Sequence, residues 1–200
     1  LLLAGLGVAL SLSPAFAGVA GLYVALSTAY SWRIKQVALL DVFVLAGLYT
    51  LRLVAGHVAT SIAWSAWLLG CCMFMFLSLA LMRRFQELQA LRQQNGHAVK
   101  GRGYTAGDLE LVTTLGLVSG FIAVLVLALY VNSEQVVKLY ARPTLLLLVC
   151  PLLLYWISRV WFLTHRGQMH DDPTAFAFKD WVSYLIGALT LAVMWLATGP

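Results

Sequence analysis

The sequence predicts an all-α fold, a polytopic bundle of transmembrane helices. Three observations carry this. Of the 200 residues, 62% are hydrophobic and only 10% charged, where a soluble domain carries about 25% charged residues. The mean hydropathy is +0.87. Apolar runs near the roughly 20 residues that a bilayer requires recur along the chain, separated by short polar stretches. The partner implied is therefore the bilayer. The net charge of +5 falls mostly in the loops, and no basic-aromatic pattern of a nucleic-acid module accompanies it. No internal repeat or low-complexity linker divides residues 1–200, so the chain reads as a single domain.

The elements follow in order. Leu1–Leu12 is too short to cross alone and reads as the tail of a span. The chain opens on Leu1 inside this apolar run, with no basic segment before it, so it reads as an N-terminally truncated fragment and not as a signal peptide. Ser13-Pro14 breaks the run, since proline suits a first helical turn but not an interior. The expected spans are then 15–31, 37–59, 64–82, 109–131, 144–163 and 181–198. Each must be helical, because a lone span satisfies its own backbone hydrogen bonds. Thr105-Ala106-Gly107-Asp108 reads as a capping box opening the span at Leu109. Asp172-Pro173 reads as N-cap and first position of the last helix.

The loops alternate in charge. Residues 32–36 hold Arg33 and Lys35. Residues 83–108 hold Arg83, Arg84, Arg92, Lys100 and Arg102. Residues 164–180 hold Arg166 and Lys179 beside Asp171, Asp172 and Asp180. The opposite loops are poorer: 57–63 has no Lys or Arg, and 132–143 has Glu134, Lys138 and Arg142. The positive-inside rule places the three richer loops in the cytoplasm. Cys71, Cys72 and Cys150 lie in apolar runs without metal-ligand spacing and read as small core residues. His165 and His170 do not share a helix face cleanly and read as structural or solvated.

The residues that carry chemistry are the ionisable groups against this apolar background. Asp41, Arg52 and Arg159 lie in or at the edges of spans, where charge is expensive and faces the bundle interior or a wet cavity. Asp41 and Arg52, eleven residues apart, share a helix face but stand about 16 Å apart along the axis. Each therefore needs a partner on another helix or an aqueous cavity. Arg83, Arg84 and Glu87 lie within one helical turn of each other. They read either as a solvated salt-bridge face or as a phosphate site. Gly101-Arg102-Gly103-Tyr104 offers a planar guanidinium on a backbone free to approach a ligand closely. Arg166 followed by Asp171 and Asp172 adds a third polar cluster on the same side. Carboxylates beside arginines suit a magnesium-bound diphosphate.

The stretch "AYSWRIKQVALLDVFVLAGLYTLRLVAGHVA" (residues 29–59) resembles the middle of the UbiA superfamily of intramembrane prenyltransferases. "RRFQEL" (83–88), "RGYT" (102–105) and "SRVWFLTHRGQMHDDPTAFAFKD" (158–180) are similar to segments of the branch that transfers phosphoribose to decaprenyl phosphate. Phe85 stands where that branch has tyrosine. The resemblance implies a UbiA-like bundle, about seven of nine expected helices being present, around a cavity open to the cytoplasm. It implies Mg2+ as cofactor and a polyprenyl phosphate or diphosphate lipid as partner. The superfamily's first motif, Asn-Asp-x-x-Asp-x-x-x-Asp, is absent and would lie one helix before Leu1. The chain alone is thus expected to be inactive. By match, Glu87, Arg84 and Asp41 are the candidate catalytic residues. Arg33, Lys35, Arg52, Arg83, Arg102, Tyr104, Arg159 and Arg166 are the candidate phosphate-binding set. Glu87, Asp171 and Asp172 are the candidate magnesium ligands.

The leading function is a membrane transferase moving a prenyl group to an acceptor with diphosphate release. The alternative is a polyprenyl-phosphate phosphoribosyltransferase, which Glu87 in place of an aspartate cluster favours. A transporter, or a non-enzymatic membrane scaffold, is the remaining class; a transporter is expected to show broken helices or an internal repeat, and neither is evident. The resemblance implies a multi-pass protein of a bacterial inner membrane with its site facing the cytoplasm.

Overall fold

The computed structural model describes residues 13–60, 65–93, 102–169 and 172–199. The expected tail at Leu1–Leu12, Lys100, Gly101, His170 and Asp171 lie outside them. Among the described residues there are eight α-helices, three 3-10 segments and no strand. The helices are α1 (Pro14–Trp32), α2 (Leu40–Thr60), α3 (Ala66–Gln93), α4 (Leu109–Val131), α5 (Glu134–Leu139), α6 (Val149–His165), α7 (Pro173–Ala177) and α8 (Trp181–Thr198). Five are long and apolar enough to cross a membrane: α2, α3, α8, and α4 and α6 together with the 3-10 turns that lead into them. The chain is an all-α polytopic bundle. Helix α1 forms where a sixth full span was expected, but Ser27, Thr28, Tyr30 and Ser31 make its last turns more polar.

Local chemistry sets the boundaries. Ser13 accepts the Phe16 N–H at 3.0 Å and Pro14 fills the first turn of α1. The Thr105–Asp108 capping box forms as expected. Asp108 Oδ2 accepts from the Thr105 N–H at 2.8 Å. Two expectations fail. The third helix does not stop at Met82 but runs to Gln93, because Gln86, Glu87, Leu88, Gln89, Ala90 and Leu91 are good helix formers with no breaker among them. A 28-residue helix exceeds the roughly 20 residues of a crossing, so its last two turns stand beyond the apolar layer. The other failure is at the last helix. Asp172-Pro173 opens only the five-residue α7, and Asp180 caps α8 separately, accepting the Ser183 N–H at 2.8 Å.

The helices pack in chain order, α1 on α2, α2 on α3, and most closely α3 on α4. Helix α6 lies against α4, and α8 against α6 and the 3-10 segment Pro143–Leu148. The α3–α4–α6 junction depends on small residues. A Cβ on Gly116 would meet the Trp161 ring at 2.2 Å, and one on Gly120 would meet Ile157 at 2.8 Å. Close backbones also let the Ser78 hydroxyl donate to the Gly116 carbonyl at 2.7 Å while it accepts from Trp161 Nε1 at 3.1 Å. Gly116 and Gly120 form a small-xxx-small pair, the spacing that membrane helices use to approach one another.

The ends of the helices gather Arg33, residues 83–93, residues 102–108 and Arg166 at one end of the bundle. Residues 132–143 lie at the other. Gln86 Nε2 donates to the Met169 carbonyl at 3.0 Å, and Gln89 Nε2 to that of His165 at 2.9 Å, tying the end of α3 to the end of α6. Cysteines placed at Gln93 and Ser133 in sealed vesicles are therefore expected to label from opposite sides. Equal labelling of both from one side contradicts this arrangement.

Candidate functional site

The polar end is organised around Asp41, fully buried on the first turn of α2. Its Oδ1 accepts the Val42 N–H at 2.8 Å and the Tyr104 hydroxyl at 2.7 Å. Its Oδ2 accepts Arg84 Nε at 2.6 Å. Arg84 lies on α3 and is itself only 2% exposed. Its Nη1 donates to Glu87 Oε2 at 2.5 Å and its Nη2 to the Tyr30 hydroxyl of α1 at 3.2 Å. Four elements thus converge on one buried ion pair. A buried charge is stable only when paired and hydrogen-bonded, and here both conditions hold.

The segment Arg102–Tyr104 closes over this pair. Gly103 has no room for a side chain, since a Cβ would lie 2.8 Å from the Gln36 carbonyl oxygen and 2.9 Å from the Ala38 nitrogen. The segment is thereby pressed onto the turn between α1 and α2. Leu39 in that turn has a left-handed φ of 64°, a conformation costly for a branched residue. Its N–H donates to the Tyr104 hydroxyl at 2.8 Å. Burial raises the Tyr104 pKa, and its hydrogen bond to Asp41 raises it further against the pull of the Leu39 N–H. Tyr104 therefore remains a neutral donor at physiological pH.

Arg102 Nε lies 3.2 Å from Glu87 Oε2, and its Nη1 lies 3.6 Å from Asp41 Oδ2. That Nη1 is enclosed but makes no hydrogen bond. The two carboxylates and two guanidiniums balance in charge. The adjoining turn adds Arg33 and Lys35, neither of which makes an ion pair among the described residues. The surroundings of Arg102 thus carry a positive excess and one unused donor, which suits a phosphate-bearing ligand.

The structure brings together Asp41, Arg84, Glu87, Arg102 and Tyr104 from the expected set. It leaves others elsewhere. Arg52 holds the Tyr23 hydroxyl and lies over the Tyr23 and Tyr49 rings, 5.2 and 5.0 Å from their centroids. It is about three helical turns from Asp41 and belongs to an exposed aromatic contact between α1 and α2, not to the cluster. Arg159 makes a fork-to-fork pair with Asp180, at 2.7 and 3.0 Å, so both of its outer nitrogens are engaged by a carboxylate. Arg83 pairs with Asp172 at 2.6 Å. Arg166 lies 4.0 Å above the Phe162 ring, and His165 stacks on Phe85 at 5.7 Å. Tyr30 was quoted from the sequence without a role; a hydroxyl one turn before the Arg33–Lys35 pair was the available signal.

Of the expected magnesium ligands, the two described ones each face arginine. Glu87 faces Arg84 and Arg102, Asp172 faces Arg83, and Asp171 lies outside the described residues. Among the described residues no three His, Cys, Asp or Glu side chains group to hold a metal ion. A lone carboxylate between two guanidiniums is a poor site for a hard dication that asks for several oxygen ligands.

The Arg159–Asp180 pair pins α8 to α6. Burial pushes the Asp180 carboxyl up, but the Arg159 fork and the Ser183 N–H and hydroxyl outweigh it and hold it below the usual carboxylate range. A carboxylate lowered on folding stabilises above its unfolded pKa of about 3.9, and that contribution is lost as pH falls through the folded value. Hydrogen exchange at the start of α8 should therefore stay slow from pH 7 down to about 4 and speed up below it. In Asp180→Asn it should be fast throughout. Unchanged protection of the wild type at pH 3 would refute the pin.

No family model matches the chain. Curated proteins do resemble it. It is 41% identical over 199 residues to the uncharacterized protein y4nM of Sinorhizobium fredii, covering 98% of this chain and 38% of that protein. It is 34% identical over 177 residues to the nodulation protein NoeC of Azorhizobium caulinodans, covering 88% of this chain and 56% of NoeC. It is 34% identical over 106 residues to the decaprenyl-phosphate phosphoribosyltransferase of Mycobacterium tuberculosis, covering 52% of this chain and 35% of that enzyme. The chain therefore spans between about a third and just over half of the length of these relatives.

Proposed function

We propose that this chain forms part of a membrane transferase of the UbiA type that binds a phosphorylated polyprenyl lipid at the Asp41–Arg84–Arg102 end of the bundle. The observation that carries the reading is the enclosed Arg102 Nη1 with no hydrogen-bond partner, next to the turn that carries Arg33 and Lys35, which make no ion pair among the described residues. An unused buried donor is costly, and an anion that filled it would recover that cost. The similarity to decaprenyl-phosphate phosphoribosyltransferases supports the same class of lipid.

Two chemistries share this geometry, and both release diphosphate. In prenyl transfer, an allylic carbon leaves diphosphate for an acceptor. In phosphoribosyl transfer, a prenyl phosphate oxygen displaces diphosphate from phosphoribosyl diphosphate. In each, guanidiniums preorganised around the departing oxygens stabilise the developing charge. Arg102 serves that role, Glu87 bridges it to Arg84, and Asp41 with Tyr104 fixes Arg84. The similarity to the mycobacterial decaprenyl-phosphate phosphoribosyltransferases supports a transferase of this class without choosing between the two reactions. Magnesium remains part of the reading as the companion of a diphosphate. Its ligands are not supplied by the described carboxylates, and no step is assigned to it. The positive excess at this end favours a cytoplasmic orientation in a bacterial inner membrane.

Diphosphate release by the full-length protein in lipid nanodiscs tests the reading. One arm offers farnesyl phosphate with phosphoribosyl diphosphate, the other farnesyl diphosphate with crude membrane acceptors. Release in the first arm alone selects phosphoribosyl transfer, and in the second alone prenyl transfer. No release in either, from protein that retains its fold, rejects the transferase.

A further inference from the structure

The end of the bundle opposite Asp41 holds a second recess, remote from the polar cluster. It has a volume of about 260 Å³ and lies between α3, α4, α6 and α8. Its walls are mostly apolar, with Leu127, Leu146, Val149 and Met194 among them, and its polar lining residues are Tyr130, Tyr140 and Thr190. We propose that this recess binds an acyl chain of an anionic phospholipid whose headgroup lies beside Arg142.

The volume argues for a flexible chain over a helix. An α-helix is about 10–12 Å across and rises 5.4 Å per turn, so one turn fills roughly 500 Å³. At about 260 Å³ the recess is smaller than one turn, whereas a hydrocarbon chain folds into an irregular space. Its position argues for a lipid of the interface. Tyr130 lies in the last turn of α4 and Tyr140 just after α5, and tyrosines of this kind favour the headgroup level of a bilayer. Helix α5 exposes Val137 and Leu139 together with Glu134 and Lys138, as a short helix lying in that interface does.

The charge argues for an anionic headgroup. Glu134 and Lys138 face each other at 3.8 Å and offset one another. Arg142 is exposed and makes no ion pair among the described residues. Its backbone is fixed at the rim, because its N–H donates to the Ala197 carbonyl at 3.0 Å. That places it two residues from Tyr140 and next to the end of the helix that carries Thr190 and Met194. A fixed, unpaired cation beside an apolar recess at headgroup level meets the two halves of an acidic phospholipid.

The test uses the full-length protein exposed to equal amounts of palmitoyl-oleoyl phosphatidylglycerol and phosphatidylcholine in detergent, with retained lipid counted by native mass spectrometry. The wild type should retain phosphatidylglycerol in preference. Arg142→Gln should lower that preference about fivefold, the effect of one basic residue near an anionic surface, while leaving phosphatidylcholine retention unchanged. Thr190→Trp and Leu127→Trp, each filling the recess, should remove both lipids. Equal retention of the two lipids by the wild type overturns the headgroup assignment. Undiminished lipid on both tryptophan variants overturns the recess. A dimer that either tryptophan variant breaks would show that a second copy covers this face, which also overturns the proposal. Arg142, Thr190 and Leu127 lie outside the polar cluster, so transfer activity and lipid retention fail or stand separately.

Discussion

Arg84→Met is expected to destabilise the folded chain by about 3 kcal/mol, the lower part of the range for breaking a buried ion pair. Arg84 satisfies Asp41, Glu87 and Tyr30 at once. Its loss leaves Asp41 Oδ2 buried with only Arg102 Nη1, 3.6 Å away, to turn toward it. That partial replacement is why the lower end of the range applies. The remaining Oδ1 bonds to Tyr104 and Val42 hold Asp41 in place and prevent it from reaching water. The double variant Asp41→Asn, Arg84→Met should recover most of the loss, since it removes the orphaned charge and keeps an amide for Tyr104 and Val42. Unfolding in mixed micelles, followed by tryptophan fluorescence, measures both. A single variant within about 1 kcal/mol of wild type, or a double variant no better than the single, would mean that the pair does not hold this end together.

Much of this arrangement could be read in the sequence, for physical reasons that also show where reading stops. Asp41 stood out because a carboxylate in an apolar span must find a partner, and the 16 Å axial separation correctly excluded Arg52 as that partner. The same principle asks for a partner for Arg52 on another helix, and Tyr23 of α1 supplies it. A guanidinium can thus be satisfied by tyrosine rings and a hydroxyl, as at Tyr23 and Tyr49, and hydropathy does not distinguish that from a cavity. The glycines flanking Arg102 were read as allowing close approach. For Gly103 this holds, although what approaches is the Gln36–Ala38 backbone and not a ligand. The apolar span ends at Met82, but the helix does not: Arg83, Arg84 and Glu87 share a helical turn as their spacing suggests, and the helix continues to Gln93. The Ser78–Gly116–Trp161 junction depends on which faces three helices turn to one another, and no local pattern states that.

The pairing of Asp172 with Arg83 and of Asp180 with Arg159 also changes how the late acidic cluster is understood. In the sequence Asp172 is a candidate metal ligand and Asp180 a member of the same acidic cluster. In the fold they brace α7 and α8 against α3 and α6, and the charge left for an anion lies instead on the opposite side of the cluster, at Arg33, Lys35 and Arg102. Phosphate binding, if centred there, rests on guanidinium geometry more than on carboxylate count.

That conclusion gives a second expected result, on Arg102 and Glu87 in the full-length protein. Arg102→Lys should raise the KM for the phosphorylated substrate by about 10- to 150-fold, the loss of a hydrogen bond to a charged group worth about 1.5–3 kcal/mol. Lysine keeps the charge but lacks the fork, so it reaches Glu87 or the ligand and not both. Glu87→Gln should act in the opposite direction on binding. Glu87 Oε2 competes for Arg102 Nε at 3.2 Å and for Arg84 Nη1. Without its charge the cluster gains one unit of positive charge, and an anionic substrate should bind at least as tightly. The rate should nonetheless fall, because no carboxylate then bridges the two guanidiniums at a fixed spacing. Opposite signs on KM separate an anion clamp from simple damage to the fold, which would weaken binding in both variants. Initial rates against substrate concentration, with expression and thermal unfolding as controls, read the two effects. If both variants bind and turn over as the wild type does, Arg102 serves only to close the turn over Asp41, and the phosphate must be held elsewhere.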